Sequence, residues 1–558
     1  MAVAPRTGRR LGGHVVVEAL AALGVRTVFG LPGIPALGIW EGLRTGPLRY
    51  VGLRTELNAG FAADGYARVS GRPTPLLLST GPGALNSLTA LMEAASAYVP
   101  VVAIASQVPT EMIGRGRGYL HELPDQRASF EPIVKWTAGV GAPGQIASTL
   151  AEAFRRACAP PTGPVYVEIP VDVLTAPTDA PGVPEAQATA SAQADGGGLD
   201  EAAALLAQAR RPVVWGGGGV LRSGAWSELV ELAERLHAPV VTTYMGKGAI
   251  REDHPLAAGS GCDEAGTREL LEGADLLLAV GTEMGAETTG QYGLAPSGRL
   301  IQIDAVAERI GATYPALGLV GDARAVLAAL IARLREHEID SDRALGADTI
   351  AVGAAPPAGG TIAARDVRER VARGLEAQGS ELERGLLQDI RSVLPREMAT
   401  SWDMTILGYW AAAHFPVLAP RRFLYPLGSG TLGYAWPAAL GASIALDEPV
   451  LAVVGDGGSA YGLAELASAR QHGVAVKLLI IDDGGYGILR EYQQDAHERC
   501  FGVELAQPDF TALARAFEVP VRETAAERLR EDLLWALGVE GPVVLVLRAR
   551  LTASTPTP

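Results

Sequence analysis

Short apolar runs alternate with helical patterns along almost the whole chain, and this alternation is the strongest constraint on the fold. Runs such as TPLLLST, ADLLLAVG and AVKLLII are rich in Leu, Ile and Val, and each is followed by a longer helical pattern. Buried runs of this kind, separated by helices, are typical of parallel strands in βαβ units. The sequence therefore predicts an α/β protein made of open, doubly wound parallel sheets.

Two stretches interrupt this alternation and divide the chain into three parts. The stretches 173–198 and 346–360 are rich in Pro, Ala and Gly and carry no hydrophobic period. A chain of 558 residues is also too long for one hydrophobic core. We expect boundaries near residues 185 and 350. The three predicted domains are residues 1–185, 186–350 and 351–558, and a charged helical stretch leads into the third.

Composition and charge exclude several classes of function. The net charge is −15 and the sequence has no cluster of basic residues, which argues against nucleic acid or an anionic membrane as a partner. No apolar run reaches the roughly 20 residues of a membrane span. The three cysteines are far apart and form no CxxC motif, which argues against a zinc site. We expect a cytoplasmic protein in a reducing compartment.

The segment VVGDGGSAYGLAELASARQHGVAVKLLIIDDGGYG combines a glycine-rich turn with a later pair of carboxylates. GDGGS follows an apolar strand and precedes a helix, where backbone N–H groups can approach a phosphate. Asp456 does not favour a phosphate by itself, but it would suit a divalent cation that bridges to one. The next parallel strand would deliver Asp482 and Asp483 beside this turn. An ordinary capping role for these acids is the alternative.

This arrangement resembles the signature of thiamine diphosphate-dependent enzymes, in which two asparagines follow GDG by some two dozen residues. The resemblance implies a Mg²⁺ site and a diphosphate site. The implied metal ligands are Asp456, Asp483 and the backbone oxygen of Gly485, and the implied diphosphate contacts are Gly457, Gly458 and Ser459. The chain departs from the signature because Asp-Asp replaces the asparagines. Successive strand side chains point to opposite faces, so we expect Asp482 to turn away from the metal.

Four further segments resemble the parts of these enzymes that bind the pyrimidine ring of the cofactor. The N-terminal third contains TVFGLPG, RYVGLRTELNAG and LLLSTGPGALN, and the last third contains LYPLGSGTLGYAWPAALG. The resemblance implies that Glu56 activates the cofactor, with Pro32 and Gly33 as further contacts. It also implies that the Gly430 carbonyl accepts from the 4′-amino group and that Leu432 bends the cofactor. The alternatives are a surface glutamate and a glycine-rich turn with one core leucine.

The chain as a whole resembles the acetolactate synthase large-subunit group, notably in RLIQIDAVAERIG and VVTTYMGKGAIREDHPLAAG. This implies an enzyme that decarboxylates a 2-oxo acid such as pyruvate and adds the resulting carbanion to a second carbonyl compound. It also implies a homodimer or homotetramer with each cofactor between two subunits. We expect this ligation in preference to simple decarboxylation.

Departures from that group keep two alternatives open. Where the group carries its flavin-contacting His and Arg, the chain has GSGCDEAG and GTEMGAE, so FAD is doubtful. The substrate loop contains LHE and resembles the Leu-His-His of pyruvate-type decarboxylases. His121 could then supply a proton and release an aldehyde, or it could be an ordinary exposed loop residue. An oxidoreductase that binds a flavin or nicotinamide nucleotide through WGGGGV is the alternative from another class.

Overall fold

A computed structural model describes residues 9–182, 198–336, 359–497 and 499–557. These residues form three six-stranded sheets, each flanked by helices, and neighbouring strands in each sheet are parallel. The predicted fold class, an α/β protein with three parallel sheets, is therefore confirmed. The boundaries expected near residues 185 and 350 lie outside the described residues, so the domain limits stay a prediction.

The N-terminal unit, residues 9–182, contains the first sheet. Its strands are β1 (Thr27–Gly30), β2 (Arg49–Gly52), β3 (Thr74–Leu78), β4 (Val101–Gln107), β5 (Thr137–Gly139) and β6 (Val165–Pro170). Its helices are α1 (Gly12–Ala22), α2 (Leu37–Thr45), α3 (Glu56–Ser70), α4 (Pro82–Leu85), α5 (Leu88–Ser96), α6 (Ile146–Cys158) and α7 (Val171–Thr175). The strand order is β2-β1-β3-β4-β6-β5.

The middle unit, residues 198–336, contains the second sheet. Its strands are β7 (Pro212–Gly216), β8 (Val240–Thr242), β9 (Ala257–Ser260), β10 (Leu276–Val280), β11 (Arg299–Asp304) and β12 (Leu317–Val320). Its helices are α8 (Leu199–Gln208), α9 (Gly218–Ser223), α10 (Trp226–Leu236), α11 (Ala265–Glu272) and α12 (Ala323–Leu334). The strand order is β12-β11-β10-β7-β8-β9.

The C-terminal unit, from residue 359 onward, contains the third sheet. Its strands are β13 (Thr400–Trp402), β14 (Phe423–Leu424), β15 (Val450–Gly455), β16 (Val476–Asp482), β17 (Val521–Thr524) and β18 (Val543–Arg548). Its helices are α13 (Gly359–Ala377), α14 (Glu381–Val393), α15 (Ile406–His414), α16 (Ala435–Leu446), α17 (Asp456–Ser459), α18 (Glu465–His472), α19 (Gly487–Ala496), α20 (Phe510–Ala516) and α21 (Leu529–Gly538). The order β14-β13-β15-β16-β18-β17 has the same pattern as the first sheet.

Helices α3 and α16 join the N-terminal and C-terminal units through direct backbone contact. A Cβ on Gly65 would lie 2.1 Å from the carbonyl oxygen of Ala438, and one on Gly441 would lie 1.8 Å from that of Ala62. Any larger side chain at either glycine would push the helices apart. The two units therefore share one continuous hydrophobic core around this helix pair.

The first stretch without a hydrophobic period, predicted from the sequence at residues 173–198, begins later in the structure. Val173 and Leu174 belong to α7 and are buried against the N-terminal unit. A Cβ on Gly12 would lie 2.1 Å from the carbonyl oxygen of Val173, so α1 and α7 are in close contact. A five-residue helix is too short to show a hydrophobic period, which explains why the sequence pattern missed it.

In the part of the chain that the structure covers, no helix combines the length and apolar character needed to cross a membrane.

Candidate functional site

A cavity of about 260 Å³ lies at the carboxyl edge of the third sheet. The neighbouring strands β13, β15 and β16 end there. The residue directly after each strand is an aspartate that lines the cavity: Asp403, Asp456 and Asp483. The carboxyl ends of parallel strands are where open α/β sheets bind ligands. Gly430, Leu432, Gly457, Gly458 and Gly485 also line this cavity. Most residues that the sequence predicted for cofactor and metal binding in the last third therefore meet here.

Asp456 is a buried carboxylate without a partner. Its side chain is at the start of α17, the residue is only 2% exposed, and neither oxygen has a hydrogen-bond partner among the described residues. Burial and the nearby charge of Asp483 raise the pKa of Asp456. Burial also raises the pKa of Asp483, against the opposing charge of Arg490. A buried carboxylate with a second, partly buried carboxylate close to it is costly unless a cation pairs with them.

The chemistry of this pair suits a hard divalent cation. Mg²⁺ prefers carboxylate, carbonyl, phosphate and water oxygens. Gly485 lies beside the pair, since its N–H donates to Oδ1 of Asp483 at 3.2 Å. No group of three His, Cys, Asp or Glu side chains is arranged to hold a metal within the described ranges. A cation bound by Asp456 and Asp483 would therefore need backbone, phosphate or water oxygens to complete its ligands.

Asp482 points away from this pair, as expected from the alternation of side chains along a strand. Its carboxylate lies 3.5 Å from Nε of Arg548, the residue opposite it in β18. The charge of Asp482 is thus compensated on the other side of the sheet. The two adjacent acids at the end of this apolar strand therefore have different environments: Asp482 pairs with Arg548, and Asp483 lines the cavity.

The glycine turn after β15 is packed too tightly for side chains. A Cβ on Gly457 would lie 2.7 Å from the ring of Tyr486, and one on Gly458 would lie 2.3 Å from Oδ2 of Asp403. Ser459 is different from the prediction: it is buried, it does not line the cavity, and its hydroxyl donates to the carbonyl of Asp456 at 2.8 Å. Its hydroxyl therefore stabilises the turn, and the glycines present the backbone to the cavity.

Asp403 is a site residue that the sequence did not reveal. It follows β13, is buried, and accepts hydrogen bonds from the backbone N–H groups of Met404 at 3.1 Å, Gly433 at 3.0 Å and Tyr434 at 3.3 Å. Burial raises its pKa to about 6, although these donors oppose the shift. Asp403 thereby holds one end of the turn that contains Leu432. A single acid after a short strand has no motif that would single it out.

The turn before α16 presents Gly430 and Leu432 to the cavity. Gly430 has φ of +66°, a left-handed conformation that glycine adopts without strain. The contacts that the resemblance implies for them, a carbonyl and an apolar side chain against the cofactor, stay a prediction.

Glu56 belongs to a second group of residues, in the N-terminal unit. It is the first residue of α3, is partly buried, and its Oε2 accepts from Nδ2 of Asn86 at 3.2 Å. A Cβ on Gly83 would lie 3.2 Å from Oε1 of Glu56 and 2.9 Å from Cβ of Ser79. Pro32 and Gly33 are part of the same group, because a Cβ on Gly33 would lie 2.0 Å from Oγ of Ser79.

His121 also lies with this second group. Its backbone has φ of +69°, and a Cβ on Gly81 would lie 2.7 Å from its carbonyl oxygen. Gly81 starts the turn whose third residue, Gly83, contacts Glu56. The loop before His121 is held by the Glu122 carboxylate, which accepts the N–H groups of Gly116 at 2.7 Å and Tyr119 at 3.0 Å.

The two groups do not share this cavity. Every residue that lines the cavity belongs to the C-terminal unit, so Glu56, His121, Pro32 and Gly33 lie outside it. The predicted site residues thus form two half-sites on one chain, one around Asp456 and Leu432 and one around Glu56.

The glycine run WGGGGV in the middle unit is explained by loop packing. Gly219 donates its N–H to the carbonyl of Gly281 at 2.9 Å, and a Cβ on Gly219 would lie 2.6 Å from Cα of Gly281. The helix that follows, α9, has only six residues. These glycines let two loops touch, and they add no support for a flavin or nicotinamide nucleotide.

Comparisons with known proteins identify the three units of the chain. Three family models for thiamine pyrophosphate (thiamine diphosphate) enzymes match the chain: the N-terminal TPP binding domain at residues 10–129, the central domain at 199–330 and the C-terminal TPP binding domain at 403–547. A probable 2-ketoarginine decarboxylase of Pseudomonas aeruginosa is 38% identical over 96% of this chain and 93% of the relative.

Two acetolactate synthases are also similar. A probable large subunit of Methanocaldococcus jannaschii is 32% identical over 96% of this chain and 91% of its own length. An acetolactate synthase of Mycobacterium bovis is 34% identical over 90% of this chain and 82% of its own length. With all three domain models matched in order, the chain belongs to the thiamine pyrophosphate enzyme family and is related to the acetolactate synthase large subunits.

Proposed function

We propose that this thiamine diphosphate-dependent enzyme uses Mg²⁺ and removes CO₂ from a 2-oxo acid. The observation that carries the proposal is the buried, unpartnered carboxylate of Asp456, which faces Asp483 in the cavity that Leu432 lines. When bound, the cofactor supplies a sink for the electron pair that decarboxylation releases.

The C-terminal half-site would hold the charged end of the cofactor. Asp456, Asp483 and the carbonyl of Gly485 would bind the cation, which removes the repulsion between the two carboxylates. The backbone of Gly457 and the side chain of Leu432 line the same cavity. They would then contact the diphosphate and the middle of the cofactor, respectively.

The N-terminal half-site would act on the pyrimidine ring. A carboxylic acid at Glu56 can share a proton with a ring nitrogen and so increase the basicity of the neighbouring amino group. Its hydrogen bond from Asn86 fixes the orientation of the carboxyl group.

We infer that a second copy of the chain completes each site, as a homodimer or homotetramer. The support is the separation of the half-sites together with exposed apolar side chains near both. Leu120 beside His121 is 70% exposed, and Tyr492 and Phe501 near the cavity are 53% and 91% exposed. Contiguous patches of exposed apolar side chains are typical of surfaces that another protein covers.

The fate of the decarboxylated substrate distinguishes two candidate functions. A proton from His121 would release an aldehyde, and this outcome is favoured by the position of His121 near the Glu56 turn. It is also favoured by the 38% identity to a probable decarboxylase. Ligation to a second carbonyl compound, the outcome that the sequence analysis favours, has its support in the acetolactate synthase relatives. We propose aldehyde release as the main reaction and ligation as the second candidate.

Product analysis of the purified protein, loaded with thiamine diphosphate and Mg²⁺, tests this proposal. Pyruvate and 2-ketoarginine are incubated separately, and CO₂, aldehyde and ligation product are measured. One aldehyde per CO₂ supports the main proposal, and one acetolactate per CO₂ from pyruvate supports the second. His121→Gln should reduce aldehyde formation, whereas His254→Gln, in the middle unit, should not. A loaded enzyme that releases no CO₂ from these or other 2-oxo acids would contradict both candidates.

A further inference from the structure

The turn that carries Gly430 and Leu432 is held at its first end by a carboxylate from the N-terminal unit. Glu93, on α5, is fully buried, and its Oε2 accepts both the N–H of Ser429 at 2.7 Å and the hydroxyl of Ser429 at 2.8 Å. Ser429 is the residue directly before Gly430. The contact therefore joins two units of the chain at the start of the cavity wall.

The turn is in close contact with Glu93 at Gly428 as well. A Cβ on Gly428 would lie 3.0 Å from both the carbonyl oxygen and Oε1 of Glu93. By contrast, the N–H of Gly430 at the tip donates within the turn itself, to the carbonyl of Pro426 at 2.9 Å, and the nearest atom to a Cβ on Gly430 is Cε of Met404 at 3.8 Å. The position of the tip is thus set by its two ends, which Glu93 and Asp403 hold.

Charge pairing explains why this contact is strong. Arg68 lies between two buried carboxylates, with Nη2 at 2.7 Å from Oε1 of Glu93 and Nε at 2.6 Å from Oδ1 of Asp64. One guanidinium cannot neutralise two carboxylates, so the N–H and hydroxyl of Ser429 supply the remaining donors. If the turn moved away, Glu93 would lose these donors while staying buried, and a buried acceptor without partners is costly.

The same network reaches the second end of the turn. The hydroxyl of Tyr434 donates to Oδ1 of Asp64 at 2.7 Å, and Arg68 donates to the carbonyl of Tyr425 at 3.1 Å. Residues 425 and 434 flank the turn, so α3 fixes both of its sides.

We propose that Glu93 is a positioning residue that holds Gly430 and Leu432 in the cofactor cavity of its own chain. This role rests on the proposed function, because it matters for catalysis only if these two residues contact the cofactor. Glu93 itself contacts neither the cavity nor any reacting atom. It acts through Ser429.

Hydrogen exchange of the cofactor-free protein tests the positioning directly. In Glu93→Gln, amides from Gly430 to Leu432 should exchange about tenfold faster or more, the factor expected from losing one hydrogen bond to a charged group. Peptides from β15 and β16 should exchange as in the wild type. Ser443→Ala is the matched control, because it removes a buried serine bond to a backbone carbonyl, 2.7 Å to Glu448, away from the turn.

Cofactor titration, followed by quenching of tryptophan fluorescence, gives the second readout. Glu93→Gln should bind thiamine diphosphate at least tenfold more weakly at saturating Mg²⁺, with Ser443→Ala unchanged. Ser429→Ala, which removes only the hydroxyl donor, should weaken thiamine diphosphate binding by a smaller factor. This variant replaces Glu93→Gln in the test if Glu93→Gln does not fold. Unchanged exchange of the tip and unchanged affinity in both turn variants would overturn the role of Glu93. A wild-type protein that binds no thiamine diphosphate would overturn the proposed function instead, and the exchange result would still stand.

Discussion

Replacing Gly458 with alanine would bring a methyl group into contact with the buried carboxylate of Asp403. The new Cβ would lie 2.3 Å from Oδ2 and 3.3 Å from Cγ of Asp403. Gly458 does not have a left-handed backbone conformation, so alanine at this position causes no backbone strain. The effect of the substitution therefore comes from this contact alone, and one of the two groups must move.

Asp403 cannot move without losing hydrogen bonds. Oδ2 accepts the N–H of Gly433 at 3.0 Å, and Oδ1 accepts those of Met404 and Tyr434. Overpacking in a well-packed interior costs about 1–3 kcal/mol. A hydrogen bond to a charged group contributes about 1.5–3 kcal/mol. We expect Gly458→Ala to destabilise the C-terminal unit by about 2.5–6 kcal/mol, the range that these two effects give together.

Native-state hydrogen exchange of peptides from β13 and β15 measures this loss locally, because a chain with three units need not unfold in one step. Gly385→Ala is the matched control: a Cβ there, in α14, has no neighbour within 4 Å. It should leave the protein unchanged or stabilise it by up to about 1 kcal/mol. In the background of Asp403→Ala, the additional loss from Gly458→Ala should be small. A loss below about 1 kcal/mol for Gly458→Ala alone would refute the contact with Asp403 as the reason for this glycine.

Four further predictions concern the metal, the cofactor, the assembly and the response to acid. Asp483→Ala should raise the Mg²⁺ concentration needed for cofactor binding at least about tenfold, as expected for a lost charged ligand. Asp483→Asn and Asp482→Ala should leave this concentration unchanged. If Mg²⁺ titrations showed the increase for Asp482→Ala and not for Asp483→Ala, the roles of the two aspartates would be exchanged. Glu56→Gln should bind the cofactor but exchange its C2 proton about 10²–10⁴ times more slowly by NMR, and near-normal exchange would remove this residue from the mechanism. Mixed dimers of inactive Glu56→Gln and inactive Asp456→Ala subunits should recover activity, and no recovery in verified mixed dimers would place the whole site in one chain. Burial and two neighbouring basic side chains lower the pKa of His414 to about 4. The folded protein therefore keeps this side chain neutral, and its stability should be complete above the ordinary pKa of about 6.5 and fall as pH drops through 4. A glutamate carboxyl 3.4 Å away would limit the loss. His414→Gln should flatten this acid decline in thermal unfolding midpoints, and an unchanged slope would contradict the assignment.

The sequence alone determined the features that local pattern controls. Asp456 and Asp483 follow consecutive strands joined by one helical crossover, and such strands usually lie side by side in a parallel sheet. Their meeting at one edge was therefore predictable before the structure. The opposite orientations of Asp482 and Asp483 were predictable as well, because the two-residue period of a strand is a local property.

Only the tertiary structure decided which distant groups complete or divide the site. Asp403 reaches the cavity because β13 lies beside β15, although 53 positions separate Asp403 from Asp456. Glu93 on α5 meets Ser429 because the N-terminal unit packs on the C-terminal unit, and no motif records that contact. The separation of Glu56 from the cavity likewise depends on how whole units pack. Periodicity specifies which face of an element is buried, but the partner of a buried polar group is set by long-range packing, and single positions along the chain carry no signal for it.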